Sequence, residues 1–361
     1  MVWKIDEGTE TLRADQFLEG HKKKVWSVDM NHQRGIIISG SADTTIRVWI
    51  KDPKTQKYNH DQTLQGHTSQ VYGVALNQGA TMIASAGQNK VVKVWKKTVD
   101  EFTKFGHVQT LEGHEDKVYT VTFSYDSKFI VSGSLTKKIK VWARPDDGTE
   151  YVIHQTLEGH TDFVRGVSLS QNGLILASAS HDRKVLVWTL NPETKQFSLS
   201  QTLTDHQHKV FEAKVSPSGS MIISCSQDNK IMVFKRKNGA NTYELDQEIE
   251  KSNEYIYSVD ITPDENKLFI VTDEKNVYFY KRNSQSEKFV QSHQSVWHKS
   301  IVYDITMNKK GDKVITCGKD QILRVWVKDE KLNQYVHQQN LIGHSNASNG
   351  AIFNHDETGL V

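Results

Sequence analysis

Short apolar runs alternate with polar turns along the chain, and residues 21–64 show the pattern in one stretch. Residues 25–30 are apolar at both ends, and after a polar turn residues 36–38 form a β-branched run. After a second turn, residues 45–49 alternate between apolar and polar positions, and residues 62–64 end the stretch. Runs of about five residues with turn residues roughly every ten predict four short β-strands rather than helices.

An aromatic residue closes each such unit at an interval of 46 or 47 residues. The closing aromatics are Trp49, Trp95, Trp142, Trp188, Phe234, Tyr280 and Trp326. A histidine keeps the same interval near the start of most units, at His21, His67, His114, His160, His206, His298 and His344. Such a period means that one supersecondary unit is stacked many times. Because a four-stranded sheet cannot bury both faces alone, we predict a single all-β β-propeller over residues 1–361, with the sheets arranged around a channel.

Several motifs recur in register and give the chain a resemblance to the WD-repeat β-propeller family. One unit contains LEGH at residues 157–160, SASHD at 178–182 and VW at 187–188. The resemblance covers essentially the whole chain. It implies that a hydrogen-bonded tetrad of His, Ser or Thr, Asp and Trp ties the turns of each blade to its third strand. These side chains are therefore interpreted as structural, although three of them are those of a hydrolase triad.

Carried over by position, the tetrad is complete in three units and altered in others. The complete tetrads are His21, Ser39, Asp43 and Trp49; His160, Ser178, Asp182 and Trp188; and His298, Thr316, Asp320 and Trp326. The altered positions are Asn89 and Thr136 in place of aspartate, Phe234 in place of tryptophan, and Ser252, Ile270 and Glu274 in the sixth unit. A partly satisfied buried polar network is costly. We therefore expect the sixth unit to lack the tetrad and to be the least stable.

The two ends of the chain bear on the number of blades. Met1 aligns with Arg47 in a third strand, and Val361 aligns with Ile38 in a second strand. We therefore expect eight blades, the last shared between the N- and C-terminal ends, because pairing the termini removes two exposed sheet edges. The alternative is seven blades over residues 25–341 with unpaired ends, and seven is the commoner number in the family that the chain resembles.

The resemblance also implies a binding surface at the mouth of the channel. The residue five after each histidine is expected there, which gives Trp26, Tyr72, Tyr119, Arg165, Phe211, Tyr257, Tyr303 and Asn349. A second circle, three after the histidine, includes Lys24, Lys117, Phe163, Lys209 and Tyr255. Aromatic and arginine side chains dominate binding hot spots, and the three lysines favour an acidic partner. We expect these circles to bind a protein or peptide, with simple filling of a wide channel as the alternative.

Charge and composition narrow the class of partner. The 45 basic and 43 acidic side chains are spread over every unit, without the basic stripe of a nucleic-acid binder. Cys225 and Cys317 occupy equivalent positions in different units, so we predict free thiols rather than a disulfide. The N-terminal residues lack the apolar core of a signal peptide, and no run is long enough to span a bilayer. We expect a soluble cytoplasmic protein without membrane contact, with a nuclear location as the alternative.

No nucleophile elbow, phosphate-binding loop or zinc-binding histidine pair accompanies the repeats, so we expect no enzyme, no metal and no cofactor. The leading hypothesis is a non-catalytic scaffold, a monomer within a larger complex, that binds a protein or peptide partner through the top face. One alternative is a cytosolic iron–sulfur protein assembly subunit of the WD-repeat type, a segment of which residues 301–305 (IVYDI) resemble. Another is a recognition module for modified peptides, such as the substrate receptor of a ubiquitin ligase.

Overall fold

Every described element in the computed structural model is a β-strand, as the sequence predicts. The structure describes residues 2–5, 12–16, 20–31, 34–55, 58–97, 104–145, 148, 150–237, 242–251, 253–262, 264–274, 276–296, 298–307, 313–319, 322–329, 334–342 and 359–360. Within these residues the strands form seven four-stranded antiparallel sheets and one three-stranded sheet.

The strands follow one another in chain order, beginning with β1 (Val2–Ile5) and β2 (Leu12–Gln16). Sheet 1 contains β3 (Val25–Asn31), β4 (Ile36–Ser41), β5 (Ile46–Lys51) and β6 (Tyr58–Leu64). Sheet 2 contains β7 (Val71–Leu76), β8 (Met82–Gly87), β9 (Val92–Lys97) and β10 (Phe105–Leu111). Sheet 3 contains β11 (Val118–Phe123), β12 (Phe129–Ser134), β13 (Ile139–Ala143) and β14 (Val152–Leu157).

The later sheets repeat this arrangement. Sheet 4 contains β15 (Val164–Leu169), β16 (Ile175–Ser180), β17 (Val185–Leu190) and β18 (Phe197–Leu203). Sheet 5 contains β19 (Val210–Val215), β20 (Met221–Ser226), β21 (Lys230–Arg236) and β22 (Tyr243–Glu250). Sheet 6 contains β23 (Ile256–Ile261), β24 (Lys267–Thr272), β25 (Asn276–Arg282) and β26 (Phe289–Val296). Sheet 7 contains β27 (Val302–Met307), β28 (Lys313–Gly318), β29 (Ile322–Asp329) and β30 (Gln334–Ile342), and β31 (Gly359–Leu360) follows.

Strands from the two ends of the chain form the three-stranded sheet, which we call the terminal sheet. Its strand order is β2–β1–β31, and both pairings are antiparallel. Trp3 lies opposite Leu360, and Lys4 lies opposite Gly359. On its outer side, β2 contacts β30 of sheet 7. Residues 343–358, which contain the predicted first strand of this unit, lie outside the described residues.

The core lies between successive sheets, because both faces of each sheet are apolar. Ile36 and Ile38 of β4 pack with Val71 of sheet 2. Ile37, between them, points to the opposite face and packs with Trp49. Successive strand residues face opposite sides of a sheet, so a strand covered on both sides reads as a continuous buried run. Fully burying one such side chain contributes roughly 1.5–3 kcal/mol, which makes each sheet depend on its neighbours.

The first strands of successive sheets contact one another from β3 through β27, so they form the inner edge of the array. Polar side chains on these strands satisfy the backbone of the next sheet. Ser27 Oγ accepts the N–H of Val74 at 3.2 Å, and Asp29 Oδ2 accepts the N–H of Leu76 at 2.7 Å. These bonds fix the relative positions of the first strands, and the predicted mouth residues lie near the beginning of those strands.

A repeated glutamine joins the outer strands of successive sheets. Gln155 in β14 donates from Nε2 to the carbonyl oxygen of Phe197 at 2.5 Å and accepts the N–H of Phe197 at 2.8 Å. The same reciprocal pair joins Gln62 with Phe105, Gln109 with Tyr151, Gln201 with Tyr243, and Gln247 with Phe289. We call these pairs the glutamine clamps. They satisfy both backbone groups at the start of the next outer strand, where a buried aromatic residue stands.

We expect Gln155→Ala to lower the free energy of unfolding by about 2 kcal/mol, because it leaves the N–H and C=O of the buried residue Phe197 unpaired. Urea denaturation followed by tryptophan fluorescence measures the change. Gln196→Ala removes an exposed glutamine one residue before Phe197 and is the control, with an expected change below about 0.5 kcal/mol. Equal, small effects of the two variants would show that the clamp contributes nothing.

Candidate functional site

Each first strand of sheets 1 to 7 carries a β-bulge at the residue predicted for the mouth. In sheet 1, the ladder between β3 and β4 shifts between Val25 and Ser27, so Trp26 has no opposing residue. The equivalent bulge residues are Tyr72, Tyr119, Arg165, Phe211, Tyr257 and Tyr303. A bulge re-aims the side chain of the extra residue and increases the local twist. The residue five after each histidine position is therefore the one whose side chain the bulge redirects.

Seven rings form a continuous series of contacts across sheets 1 to 6, which we call the aromatic arc. In order they are Trp26, Tyr72, Tyr119, Phe163, His181, Phe211 and Tyr257. The centroids of successive rings are 5.6, 5.0, 5.7, 3.6, 5.9 and 5.1 Å apart. All seven side chains are half-buried. The four pairs of Phe, Tyr and Trp rings contribute about 0.5–1.5 kcal/mol each, so these rings support one another while keeping part of their surface open.

The structure brings together most of the predicted site residues. Six of them are members of the arc, and Arg165, Lys117 and Lys209 stand on or immediately before the same first strands. Lys24 places its ammonium group 4.2 Å from the ring centroid of Trp26. The side chain of Tyr303 and the whole of Asn349 lie outside the described residues.

His181 is the arc member that sequence analysis missed. It lies in the turn between β16 and β17, and its backbone N–H donates to the carbonyl oxygen of Phe163 at 3.2 Å. The bulge residue of sheet 4 is Arg165, which has no ring. The ring of His181, together with Phe163, continues the series at this point. Burial lowers the pKa of His181 to about 4, and the charges of Lys209 and Arg165 act in the same direction, whereas Asp162 opposes them. His181 is therefore neutral at pH 7.

Two basic side chains at the mouth differ in their pairing from two at the far end of the sheets. Arg165 and Lys209 form no ion pair within the described residues. At the far end, two cations share one carboxylate oxygen: Glu287 Oε2 lies 2.8 Å from Lys235 Nζ and 3.3 Å from Arg282 Nη2. Arg165 and Lys209 are consequently available to a ligand.

The predicted tetrads hold the loops that precede the mouth residues. In sheet 4, His160 Nδ1 lies 2.8 Å from Asp182 Oδ2. His160 Nε2 lies 2.9 Å from Ser178 Oγ, which also accepts the ring N–H of Trp188 at 3.0 Å. The tetrad of sheet 1 has the same contacts, so both predictions are confirmed. In sheet 7 the described members are His298, Thr316 and Trp326, and Asp320 lies outside the described residues.

Two altered tetrads keep most of their bonds. In sheet 2, Asn89 Oδ1 lies 2.8 Å from His67 Nδ1, so the amide oxygen takes the place of the carboxylate. In sheet 5, His206 bonds with Asp228 at 2.8 Å, but Phe234 has no ring N–H to add. The substitutions therefore weaken these networks without removing them.

Sheet 6 has a different network, centred on Glu254, that sequence analysis did not detect. The Glu254 carboxylate accepts from Thr272 Oγ1 at 2.6 Å, from Asn276 Nδ2 at 2.8 Å and from Tyr278 Oη at 2.6 Å. The ammonium group of Lys251 lies 3.8 Å from the Tyr278 ring centroid. Burial and the hydrogen bond to Glu254 raise the pKa of Tyr278 well above its usual range. This tyrosine therefore remains a hydrogen-bond donor.

The network of sheet 6 follows the geometry of the tetrads with a shift of two residues. Ile270 is fully buried at the predicted hydroxyl position, in keeping with the expected absence of a tetrad. Glu254 lies two residues after Ser252, which stands at the histidine position in the sequence. The three donors to Glu254 lie 18, 22 and 24 residues further along, the same separations at which His21 meets its partners. Sheet 6 is thus a specialised unit with its own polar centre.

In sheet 3 the tetrad is incomplete. His114 Nε2 lies 2.8 Å from Ser132 Oγ, which accepts the ring N–H of Trp142 at 2.9 Å. His114 Nδ1 and Thr136 Oγ1 are both buried without a hydrogen-bond partner. Burial lowers the pKa of His114 to about 3, so the ring stays neutral in the folded protein. Each unpaired buried polar atom costs about 1–3 kcal/mol.

Taken together, repeated four-stranded antiparallel sheets tied by such tetrads are the structure of a WD-type β-propeller. Six segments match the family model of the WD domain, G-beta repeat: residues 13–49, 59–96, 105–143, 152–189, 197–235 and 289–327. These segments make up more than half of the chain, and the protein belongs to the WD40 repeat family. The family model leaves residues 236–288 unmatched, and this stretch contains the Glu254 network. No curated protein matches the chain at a significant level of similarity.

The described part of the chain contains no helix long and apolar enough to cross a membrane. Its histidine, cysteine and carboxylate side chains form no group of three or more that could hold a metal ion. Cys225 is a free thiol, as predicted, and burial raises its pKa, which makes it unreactive. The side chain of Cys317 lies outside the described residues.

We expect Thr136→Asp to raise the free energy of unfolding at pH 7 by about 1 kcal/mol, because a carboxylate can accept the Nδ1–H of His114. The pH dependence should change too. In the wild type, the unfolded chain protonates His114 below pH 6.5 and the folded protein does so only near pH 3, so stability falls as the pH falls through this window. The new carboxylate favours the protonated ring and flattens the fall between pH 6.5 and about 5.

Urea denaturation at several pH values measures both effects. Thr136→Val removes the unpaired hydroxyl but supplies no acceptor, and it serves as the control. Two results would contradict the assignment of the unpaired Nδ1. One is an equal gain in the free energy of unfolding for Thr136→Val and Thr136→Asp, and the other is an unchanged pH dependence of that free energy in Thr136→Asp.

Proposed function

We propose that the protein is a non-catalytic scaffold that binds a protein or peptide partner at the aromatic arc. WD40 repeats imply a protein-interaction scaffold in general. The observation that carries the specific proposal is the unbroken series of half-buried rings from Trp26 to Tyr257. Aromatic anchors bury a large area on binding at little cost in conformational entropy, which suits them to contact a partner.

The exposure of the rings favours partner binding over simple filling of a channel. Rings that only fill space are buried on all sides, as Trp142 and Phe279 are in the cores between sheets. The members of the arc keep part of their surface open, and Tyr255, from the second predicted circle, is 40% exposed. Arg165 is exposed beside them. This combination of apolar area and free charge is typical of a binding surface.

We expect the double variant Tyr119→Ala/Phe211→Ala to weaken partner binding by about 2 kcal/mol or more, roughly thirtyfold, because it removes two central rings of the arc. Peptides selected on the wild-type protein from a displayed random library provide the ligand, and isothermal titration calorimetry measures the affinity.

The matched control is Ile153→Ala/Leu199→Ala, which removes two exposed apolar side chains from the outer strands β14 and β18. This variant should bind the selected peptides as the wild type does. The unfolding midpoints of both variants report whether they fold. Unchanged binding by a folded Tyr119→Ala/Phe211→Ala variant would rule out the arc as the binding surface.

We further propose that residues 1–361 form one domain in which the terminal sheet is the eighth blade and closes the ring. The pairing of β1 with β31 and the contact of β2 with β30 support closure. Ile37 and Trp49 are buried on the face of sheet 1 opposite to sheet 2, which requires a further layer there. In the sequence, Gln16 stands 46 residues before Gln62 and so occupies the position of a glutamine clamp.

If the ring is closed in this way, Gln16→Ala should lower the free energy of unfolding by about 2 kcal/mol, as much as Gln155→Ala does. Urea denaturation compares the two variants with the exposed control Gln196→Ala. An effect of Gln16→Ala no larger than that of the control would favour seven blades with unpaired ends.

We place the protein in the cytoplasm, with a nuclear location as the alternative, and propose that it works as a monomer within a larger complex. Cys225 is a free thiol, which suits a reducing compartment.

A further inference from the structure

Positive charge without an ion-pair partner converges on one part of the aromatic arc. Arg165 is the exposed bulge residue of β15, and Lys209 immediately precedes β19. The charges of both act on His181, which lies between the two sheets in the arc. Neither cation forms an ion pair within the described residues, and with Asp162 as the nearby carboxylate this part of the mouth keeps a net positive charge.

The rings beside these cations are held in place by contacts with one another. The ring centroid of His181 lies 3.6 Å from that of Phe163 and 5.9 Å from that of Phe211. The backbone bond from His181 to Phe163 ties the turn between β16 and β17 to the loop before β15. Low-polarity groups next to a cation lower the local dielectric constant and strengthen its attraction to a bound anion. An anionic group entering here would meet two cations and a neutral imidazole between two phenyl rings.

We propose that the aromatic arc contains an anion subsite at His181, in which Arg165 and Lys209 bind the carboxylate of an acidic peptide segment while apolar residues on either side of that carboxylate contact the neighbouring rings. The proposal rests on the proposed function and adds the chemistry of the partner. Arginine presents a planar fork of N–H donors that matches a carboxylate, and lysine adds a point charge.

The nearby carboxylate of Asp162 favours a singly charged ligand over a phosphate group. Asp162 Oδ1 accepts the backbone N–H of Phe163 at 2.8 Å, which holds its negative charge beside the subsite. Arg165, Lys209 and Asp162 together leave a net charge of +1 at the subsite, which the carboxylate of glutamate neutralises, whereas a dianionic phosphoserine leaves an excess of negative charge. The subsite is therefore assigned to aspartate or glutamate side chains.

The test uses three pools of heptapeptides with randomised apolar flanks and blocked termini, which carry glutamate, glutamine or phosphoserine at the centre. Retention of each pool on the immobilised full chain is measured by mass spectrometry. We expect the wild type to retain the glutamate pool about tenfold better than the glutamine pool and better than the phosphoserine pool. The double variant Arg165→Gln/Lys209→Gln should bind the glutamate and glutamine pools within about twofold of each other.

Two further variants keep the result interpretable. Arg34→Gln/Lys54→Gln removes one arginine and one lysine from turns at the far end of sheet 1 and should keep the tenfold preference. Arg165→Lys keeps the charge and should retain part of the preference even if the double variant folds poorly. Equal retention of the glutamate and glutamine pools by the wild type would overturn the subsite, and stronger retention of phosphoserine would overturn the carboxylate assignment.

The failure of the proposed function has a different signature. In that case the wild type retains no pool, or Tyr119→Ala/Phe211→Ala retains every pool as the wild type does. If only the subsite is wrong, the wild type still retains the peptides through their apolar flanks. The variant Tyr119→Ala/Phe211→Ala then still loses this retention.

Discussion

The structure depends on one constraint: a four-stranded sheet that is apolar on both faces is stable only between two neighbours. Ile36 and Ile37, adjacent in β4, pack into different cores, and the same alternation recurs in the later sheets. Hydrophobic packing alone is non-directional and leaves the sheets free to slide. The glutamine clamps at the outer edge and the polar contacts of Ser27 and Asp29 at the inner edge supply direction, and so they place the mouth residues at one level.

Much of the fold could be predicted because its signals are local and repeated. The spacing of closing aromatics and histidines gave the strands, and the tetrads of sheets 1 and 4 follow position by position. The clamps escaped prediction, since their partners lie 42 or 43 residues apart on different sheets and depend on the relative height of the two outer strands. The signal that could have revealed them was a glutamine at the same place in seven outer strands: Gln16, Gln62, Gln109, Gln155, Gln201, Gln247 and Gln339.

The candidate site likewise contains residues that the repeat predicts and residues that only the folded structure reveals. The aromatic bulge residues could be predicted because each holds one position in the repeat. His181 belongs to another turn, and the residues that make the equivalent backbone bond in sheets 1, 2, 3 and 5 are Ala42, Gln88, Leu135 and Gln227, so the repeat gave no reason to expect a ring there. Glu254 was missed for a related reason, since the network of sheet 6 keeps the separations of a tetrad but begins two residues later. Position-by-position comparison cannot see a functional group that has moved along the chain.

The bulges separate the pairing of the strands from the identity of the side chain at each bulge. Trp26 and its equivalents have no opposing residue in the ladder, so replacing one of them leaves the strand pairing on either side intact. Sheet 4 carries arginine at this place and still keeps a complete tetrad beside it. Substitutions at these seven places therefore change the side chains at the mouth without breaking the strand ladders, and their cost is confined to contacts such as that of Phe211 with the neighbouring core.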